Sequence, residues 1–169
     1  MKKSFLLCFV ILMSYNVSCK NEDTNTADMS AEIIEGENTD TNALAEITGV
    51  TVSGNENAYT FSVTIKSPDT GCEQYANWWE VISEDGSSLL YRRILGHSHV
   101  NEQPFTRSGG SVGITKDQIV YVRAHMNTSG YGTTVFKGSV DSGFSAATLE
   151  AEFGEALETE APQPSGCAF

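Results

Sequence analysis

No stretch of this sequence is long and apolar enough to cross a membrane as a helix. Its longest apolar run, Phe5 to Met13, follows Lys2 and Lys3 and falls far short of the roughly 20 residues a spanning helix needs. A run of that kind is the core of a secretory signal. Basic residues are scarce: 10 Lys and Arg stand against 22 Asp and Glu, and the net charge of −12 becomes −14 when the two signal lysines leave. A nucleic-acid partner needs a basic stripe to displace counterions, and there is none. Also missing are a GxSxG elbow, an HExxH pair, a phosphate-cradling glycine loop and any CxxC or metal-ligand cysteine spacing. No catalytic residue is therefore nominated. A hydrolase survives only as Ser108 or Ser111 assembled with a histidine and a carboxylate, and a glycosidase only as Glu73 with Glu102.

The charge that is present is unevenly placed. Residues 19–46 carry eight carboxylates against Lys20, and residues 141–169 carry six with no Lys or Arg. Residues 47–140 hold the other eight against seven bases, including all four arginines. The acidity belongs to the flanks, where mutual repulsion keeps chain ends extended, with cation binding as the alternative. Residues 1–18 read as the signal, 19–45 as an acidic flexible tether, 46–140 as the domain, and 141–169 as an acidic tail.

Asn16-Val17-Ser18-Cys19 resembles a bacterial lipobox, with Asn16 where that family usually has an aliphatic residue. The resemblance implies lipidation at Cys19, with an ordinary signal peptide cleaved nearby as the alternative. Lys20-Asn21-Glu22-Asp23 is similar to the acidic export signal of surface lipoproteins in some Gram-negative bacteria, which implies an outer-membrane, surface-exposed protein anchored by palmitate-type acyl chains. Cys8 leaves with the signal and Cys19 takes the lipid, so Cys72 and Cys167 remain as a disulfide pair in an oxidising compartment, or as one reactive thiol at Cys72.

Strand signals start at Ile47-Thr48-Gly49-Val50-Thr51-Val52, turn at Gly54 to Asn57, and resume at Tyr59 to Ile65 with unbroken alternation. Tyr75 to His99 forms a second hairpin around Asp85-Gly86. A three-residue loop of Glu84, Asp85 and Gly86 pairs Val81 with Leu89, Trp79 with Tyr91 and Asn77 with Arg93. Trp79 then faces the core, while Trp78 is half-exposed beside Arg92. Residues 96–113 show no periodicity and read as a loop. Ile114 to Lys116 reads as an edge strand, Ile119 to Met126 as a strand, and Thr133 to Val140 as the last strand. In the tail, Leu149, Phe153 and Leu157 stand four apart, the spacing of a short amphipathic helix within Ser145 to Glu158.

Six to seven such strands without an intervening helix predict an all-β, antiparallel β-sandwich. The run Asp117 to Ala124, with Tyr121 at its centre, is similar to the penultimate strand of immunoglobulin and fibronectin type III domains. That resemblance covers residues 46–140 in strand count and order, and implies that Tyr121 closes a corner and Trp79 is the core tryptophan. Residues 68–107 also look like stretches of uncharacterised secreted bacterial proteins, which implies no activity.

With this topology, the loops 67–74, 96–113 and 127–132 gather at one pole. The candidate binding residues are Trp78, Arg92, Glu102, Arg107 and Tyr131, with Trp78 over Arg92 either a cation–π pair or a platform for sugar or peptide. All three histidines also fall at this pole. His97 and His99, two apart in an extended segment, point the same way, and His125 lies about 10 Å off. Three imidazoles, with Met126 or Glu102 added, would take copper or zinc. The expectation is a non-enzymatic envelope module with a protein or carbohydrate ligand and a membrane anchor, with a copper- or zinc-binding protein next and a hydrolase third.

Overall fold

The computed structural model describes residues 44–168, which fall within one compact unit, Thr39–Phe169. The signal segment, Cys19 and all but the end of the tether lie outside the described residues. The described strands are β1 (Glu46–Asn55), β2 (Ala58–Lys66), β3 (Ala76–Ser83), β4 (Leu89–Ile94), β5 (Phe105–Val112), β6 (Val120–Met126), β7 (Gly130–Tyr131), β8 (Thr134–Ser139) and β9 (Gly143–Thr148), followed by a 3-10 helix at Glu155–Thr159. They form an antiparallel three-stranded sheet, β1-β2-β5, and an antiparallel six-stranded sheet, β4-β3-β6-β8-β9, with β7 paired to β6.

The alternating residues of β2 explain the core. Tyr59, Phe61, Val63 and Ile65 are buried and pack with Trp79, Val81, Val122, Ala124 and Met126 of the other sheet. Between them, Ser62 and Thr64 point outward and share hydroxyl hydrogen bonds with Ser108 and Thr106 of β5, at 2.6 and 2.8 Å. Period-two alternation is what a sheet with one wet face requires.

The organising hairpin is real, but its register differs from the expected one by two residues. Trp79 pairs with Arg93, Glu80 with Arg92 and Val81 with Tyr91. The cause is the turn. Asp85 Oδ1 accepts hydrogen bonds from Ser83 Oγ, Ser87 N and Ser87 Oγ, and Ser83 N donates to Ser88 O, so the loop spans 84–88. Those donors, led by the Ser83 hydroxyl, hold the Asp85 carboxyl down to about 2. A slip of two leaves Trp79, Val81 and Tyr91 on one face and Trp78, Glu80 and Arg92 on the other, as expected, because the strand period is two. Bulges at the ends instead bring Ala76 into the core, turn Asn77 outward to His125 and set Leu89 opposite Ile82.

Four further expectations change. Residues 96–113 contain β5, whose polar sequence hid it: its outer face meets water, and its glycines sit where neighbours crowd. A Cβ on Gly109 would meet the Tyr91 hydroxyl at 2.5 Å, and one on Gly110 the Tyr59 carbonyl at 2.6 Å. Ile114 to Lys116 is not a strand, although Ile114 is buried. The sheet does not end near 140, since β9 pairs along β8 from Ser139↔Gly143 to Thr134↔Thr148, giving nine strands among the described residues rather than six or seven. The amphipathic helix is replaced by β9, a turn and the 3-10 segment, with Gly154 left-handed at φ 63°. Tyr121 packs edge-on against Phe153 at 5.5 Å, with Lys137 over its ring.

Candidate functional site

The loop pole assembles from three loops. Asp69 is its hub: Oδ1 accepts from Ser67 Oγ and Ala76 N, and Oδ2 from His99 N at 2.7 Å. Gln103 bridges back to Ser67, accepting from its backbone N–H at 2.9 Å. Asn127 closes the third side, accepting from Tyr75 N and donating to the Cys72 and Glu73 carbonyls. Cys72 is joined to Cys167 (S–S 1.97 Å), the pairing expected from the thiol inventory, and Ala168 N donates to Gly96 O. His97, Val100 and Glu102 remain exposed on this platform. Glu102 forms an ion pair with Arg107 at 2.7 Å, which lowers its pKa. A cavity of about 340 Å³ opens beside it, between Leu44, Glu46, Lys66, Ser67, Pro68 and Gln103.

The histidines divide between two environments. His99 stacks on Phe105 of the core at 3.7 Å and lies 4.4 Å from the His97 ring. It is buried and both its ring nitrogens lack a hydrogen-bond partner. Burial, helped by Arg107 and His97, lowers its pKa. His125 instead stacks on Trp78 at 3.7 Å on the outer face of the six-stranded sheet, with Nδ1 on Asn77 Oδ1. Met126 points the other way, into the core. No group of three or more His, Cys, Asp or Glu side chains is arranged to hold a metal among the described residues.

The largest departure concerns Trp78, Arg92 and Tyr131, which are 3%, 4% and 5% exposed rather than at the surface. They belong to a buried polar cluster centred on Glu80. Arg92 Nε donates to Glu80 Oε2 at 2.7 Å and Arg123 Nε to Oε1 at 2.8 Å, so one carboxylate holds two guanidinium groups. Arg92 lies over the Trp78 ring at 4.5 Å, the expected cation–π pair in a buried setting, and Arg123 lies over Tyr131 at 3.4 Å. The terminal nitrogens reach outward to the C-terminal segment. Arg92 donates to the carbonyls of Leu157, Glu160 and Pro162, and Arg123 to those of Phe153 and Gly154. Leu157 is buried beneath this strap.

The cluster's electrostatics follow from that cover. Burial beside Arg92 and Arg123 pushes the His125 imidazole down to about 3. Glu158 Oε1, 3.3 Å from Nε2, works in the opposite direction, but its side chain is 44% exposed and screened, so the neutral ring prevails. Burial, then Glu80, raises the Tyr131 phenol. Glu80 and Arg123 carried a signal in the sequence: each is a lone charge inside an apolar strand, where an unpaired charge is prohibitively costly.

No family model matches the chain, and no solved structure matches it. It is similar to a protein of Halomicrobium mukohataei named "Putative lipoprotein", with 36% identity over 107 residues, 63% of this chain and 52% of that protein. The chain thus spans about half the length of the curated relative it matches. The name agrees with the lipoprotein reading of the N-terminal segment.

Proposed function

We propose that this chain is a lipid-anchored envelope protein, held through Cys19 at the outer membrane, whose immunoglobulin or fibronectin type III-like sandwich is a non-enzymatic binding module. The observation carrying this reading is the loop pole. Segments 67–75, 95–104 and 127–132 are cross-linked by Asp69, Gln103 and Asn127, and a disulfide ties the first of them to Cys167 of the tail, which presents exposed His97, Val100 and Glu102 on a rigid base. Preorganised loops on a sandwich are a common recognition surface. The strand orders β1-β2-β5 and β4-β3-β6-β8 support the fold assignment, and the relative's name supports the anchor. β1 begins at this same pole, beside Lys66 and Gln103. Protein or carbohydrate is the ligand class.

Two measurements test it. Mass analysis of envelope-derived protein should find Cys19 acylated as the first residue, and Cys19→Ser should abolish membrane partitioning; a mature chain starting elsewhere removes the anchor. Glycan and surface-protein arrays probed with the soluble domain should give binding that Val100→Asp and His97→Ala reduce. Turnover of ester or glycoside substrates would replace the binding module with an enzyme.

A second reading rests on one feature, the buried His99 whose ring nitrogens make no hydrogen bond, with Nδ1 3.8 Å from Asp69 Oδ2 and the His97 ring 4.4 Å away. Copper or zinc on this pair would be seen by isothermal titration and lost in the His97→Ala, His99→Ala double variant.

A further inference from the structure

We propose that the outer face of β4, β3 and β6 is a binding groove for an acidic peptide folded as a turn and a short 3-10 helix, and that residues 153–162 are its resident in-chain occupant. This face is distinct from the loop pole. Its arginines are organised by the sheet and not by the strap: Glu80 holds the Nε of both Arg92 and Arg123 and lies 2.6 and 2.7 Å from their Nη2 atoms, which leaves Nη1 of each turned to the strap. What they bind is backbone. Five carbonyls of the strap, those of Phe153, Gly154, Leu157, Glu160 and Pro162, accept from the two guanidinium groups. Two apolar side chains anchor the strap: Leu157, at 2% exposure, and Phe153, edge-on to Tyr121 at 5.5 Å. Recognition of this kind reads the backbone of a turn leading into a 3-10 helix, together with its apolar anchors, rather than a whole sequence.

Charge selects the occupant. Two arginines against one glutamate leave the face with a net positive charge, and the strap that covers it carries Glu155, Glu158 and Glu160 and no base. Trp78 Nε1, buried in the same face, has no hydrogen-bond partner and is a further donor. A cleft of about 300 Å³ already separates the strap from β4, between Leu89, Leu90, Tyr91, Arg92, Glu160, Ala161 and Pro162. Guanidinium groups stripped of acceptors in so enclosed a place are costly, so the strap leaves only by exchange with a segment offering equivalent carbonyls. The Cys72–Cys167 bond, five residues beyond Pro162, keeps the in-chain occupant at high effective concentration. Reduction of that bond by a dithiol, which becomes a disulfide as Cys72 and Cys167 each take up a proton and an electron, lowers this advantage and opens the groove to a partner.

The test uses the full chain with a protease site placed in the exposed connector at Glu150 to Glu152, so that the cut strap is retained only by its disulfide and its contacts. The probe is a fluorescein-labelled peptide of residues 150–163. Oxidised protein should leave the probe free. Cut protein, reduced and separated from its strap, should bind it with a dissociation constant of about 10 μM or tighter by anisotropy. A probe carrying Leu157→Ala, and one carrying Glu155→Lys with Glu158→Lys, should each bind at least about tenfold more weakly. Circular dichroism verifies that the stripped protein stays folded. A folded, stripped protein that ignores the probe, or that binds a scrambled peptide equally, overturns the proposal. Dimerisation of the uncut chain on reduction, without probe binding, also overturns it, in favour of strap exchange between copies.

Discussion

The two sheets of this sandwich share one core but treat their outer faces in opposite ways. The outer face of β1-β2-β5 meets water and is covered with hydroxyls: Ser62 with Ser108 and Thr64 with Thr106. The outer face of β4-β3-β6 holds two arginines, a glutamate, a tryptophan, a histidine and a tyrosine, and a strap of the chain's own C-terminal segment seals it. Every residue from Ala76 to Ile82 is buried in consequence, while β2 alternates cleanly. The difference teaches that a strand's pattern reports on what lies over both its faces. β3 resembles a strand of a covered sheet because the tail covers it.

The contrast can be broken most severely at Glu80. Glu80→Ala strips Arg92 and Arg123 of their shared carboxylate and should cost about 3–5 kcal/mol, read as a fall in the urea midpoint of the oxidised protein. A loss below about 1 kcal/mol would mean that water reaches the cluster and that the strap is not a seal. Next comes the disulfide. Cys72→Ser with Cys167→Ser opens a loop spanning 95 residues and should cost about 2–4 kcal/mol, mostly by enlarging the unfolded ensemble. Hydrogen exchange should rise at residues 153–168 and stay unchanged in β2.

A smaller break targets the strap's anchor. Leu157→Ala should cost about 2 kcal/mol, at the lower end for a buried leucine because the site lies at the margin of the fold, and tryptophan emission should shift as Trp78 gains solvent. Unchanged emission would show that Trp78 is shielded without the strap.

Acid acts on the same face. His125 titrates near 3 when folded and near its ordinary value of 6.5 when unfolded. The folded value is the lower one, so this contribution is complete above about pH 6.5 and declines as pH falls toward 3. Between pH 7 and pH 5 it amounts to about 2 kcal/mol, and His99, also lowered, adds in the same sense. Denaturation curves at the two pH values should show the loss, and His125→Gln should flatten most of it. A flat profile in the parent chain would place Glu158 in control of the imidazole. On the other sheet, Ser62→Ala should change stability by less than about 0.5 kcal/mol; a larger effect would mean that its outer face is also covered.

Gly86 ties the hairpin to the strap. It sits at φ 71° in the 84–88 turn, and a Cβ there would meet the Phe153 ring at 2.8 Å. The sequence announced a turn glycine at this position, for its left-handed backbone. That the same glycine makes room for a ring 67 residues later is a fact of packing alone.

The division between sequence and structure runs along range. Local signals were sufficient for what is decided locally: the β1–β2 hairpin, the burial of Trp79, the alternation of β2 and β6, and the turn at Asp85-Gly86; the pairing of Cys72 with Cys167, 95 residues apart, followed instead from the count of thiols. The strand period of two even preserved the faces of Trp78 to Val81 and of Tyr91 and Arg92 through a two-residue error in register, while bulges reversed Ala76, Asn77 and Leu89. Tertiary structure decided the rest. β5 was hidden because its polar outer residues and glycines answer to Tyr91 and Tyr59 rather than to their own neighbours in sequence. The tail carried no signal of where it would dock, because it is bound through backbone carbonyls, which every residue possesses. Whether Trp78, Arg92 and Tyr131 face solvent or a buried glutamate depends on that docking, and so on contacts 65 to 70 residues along the chain from Arg92.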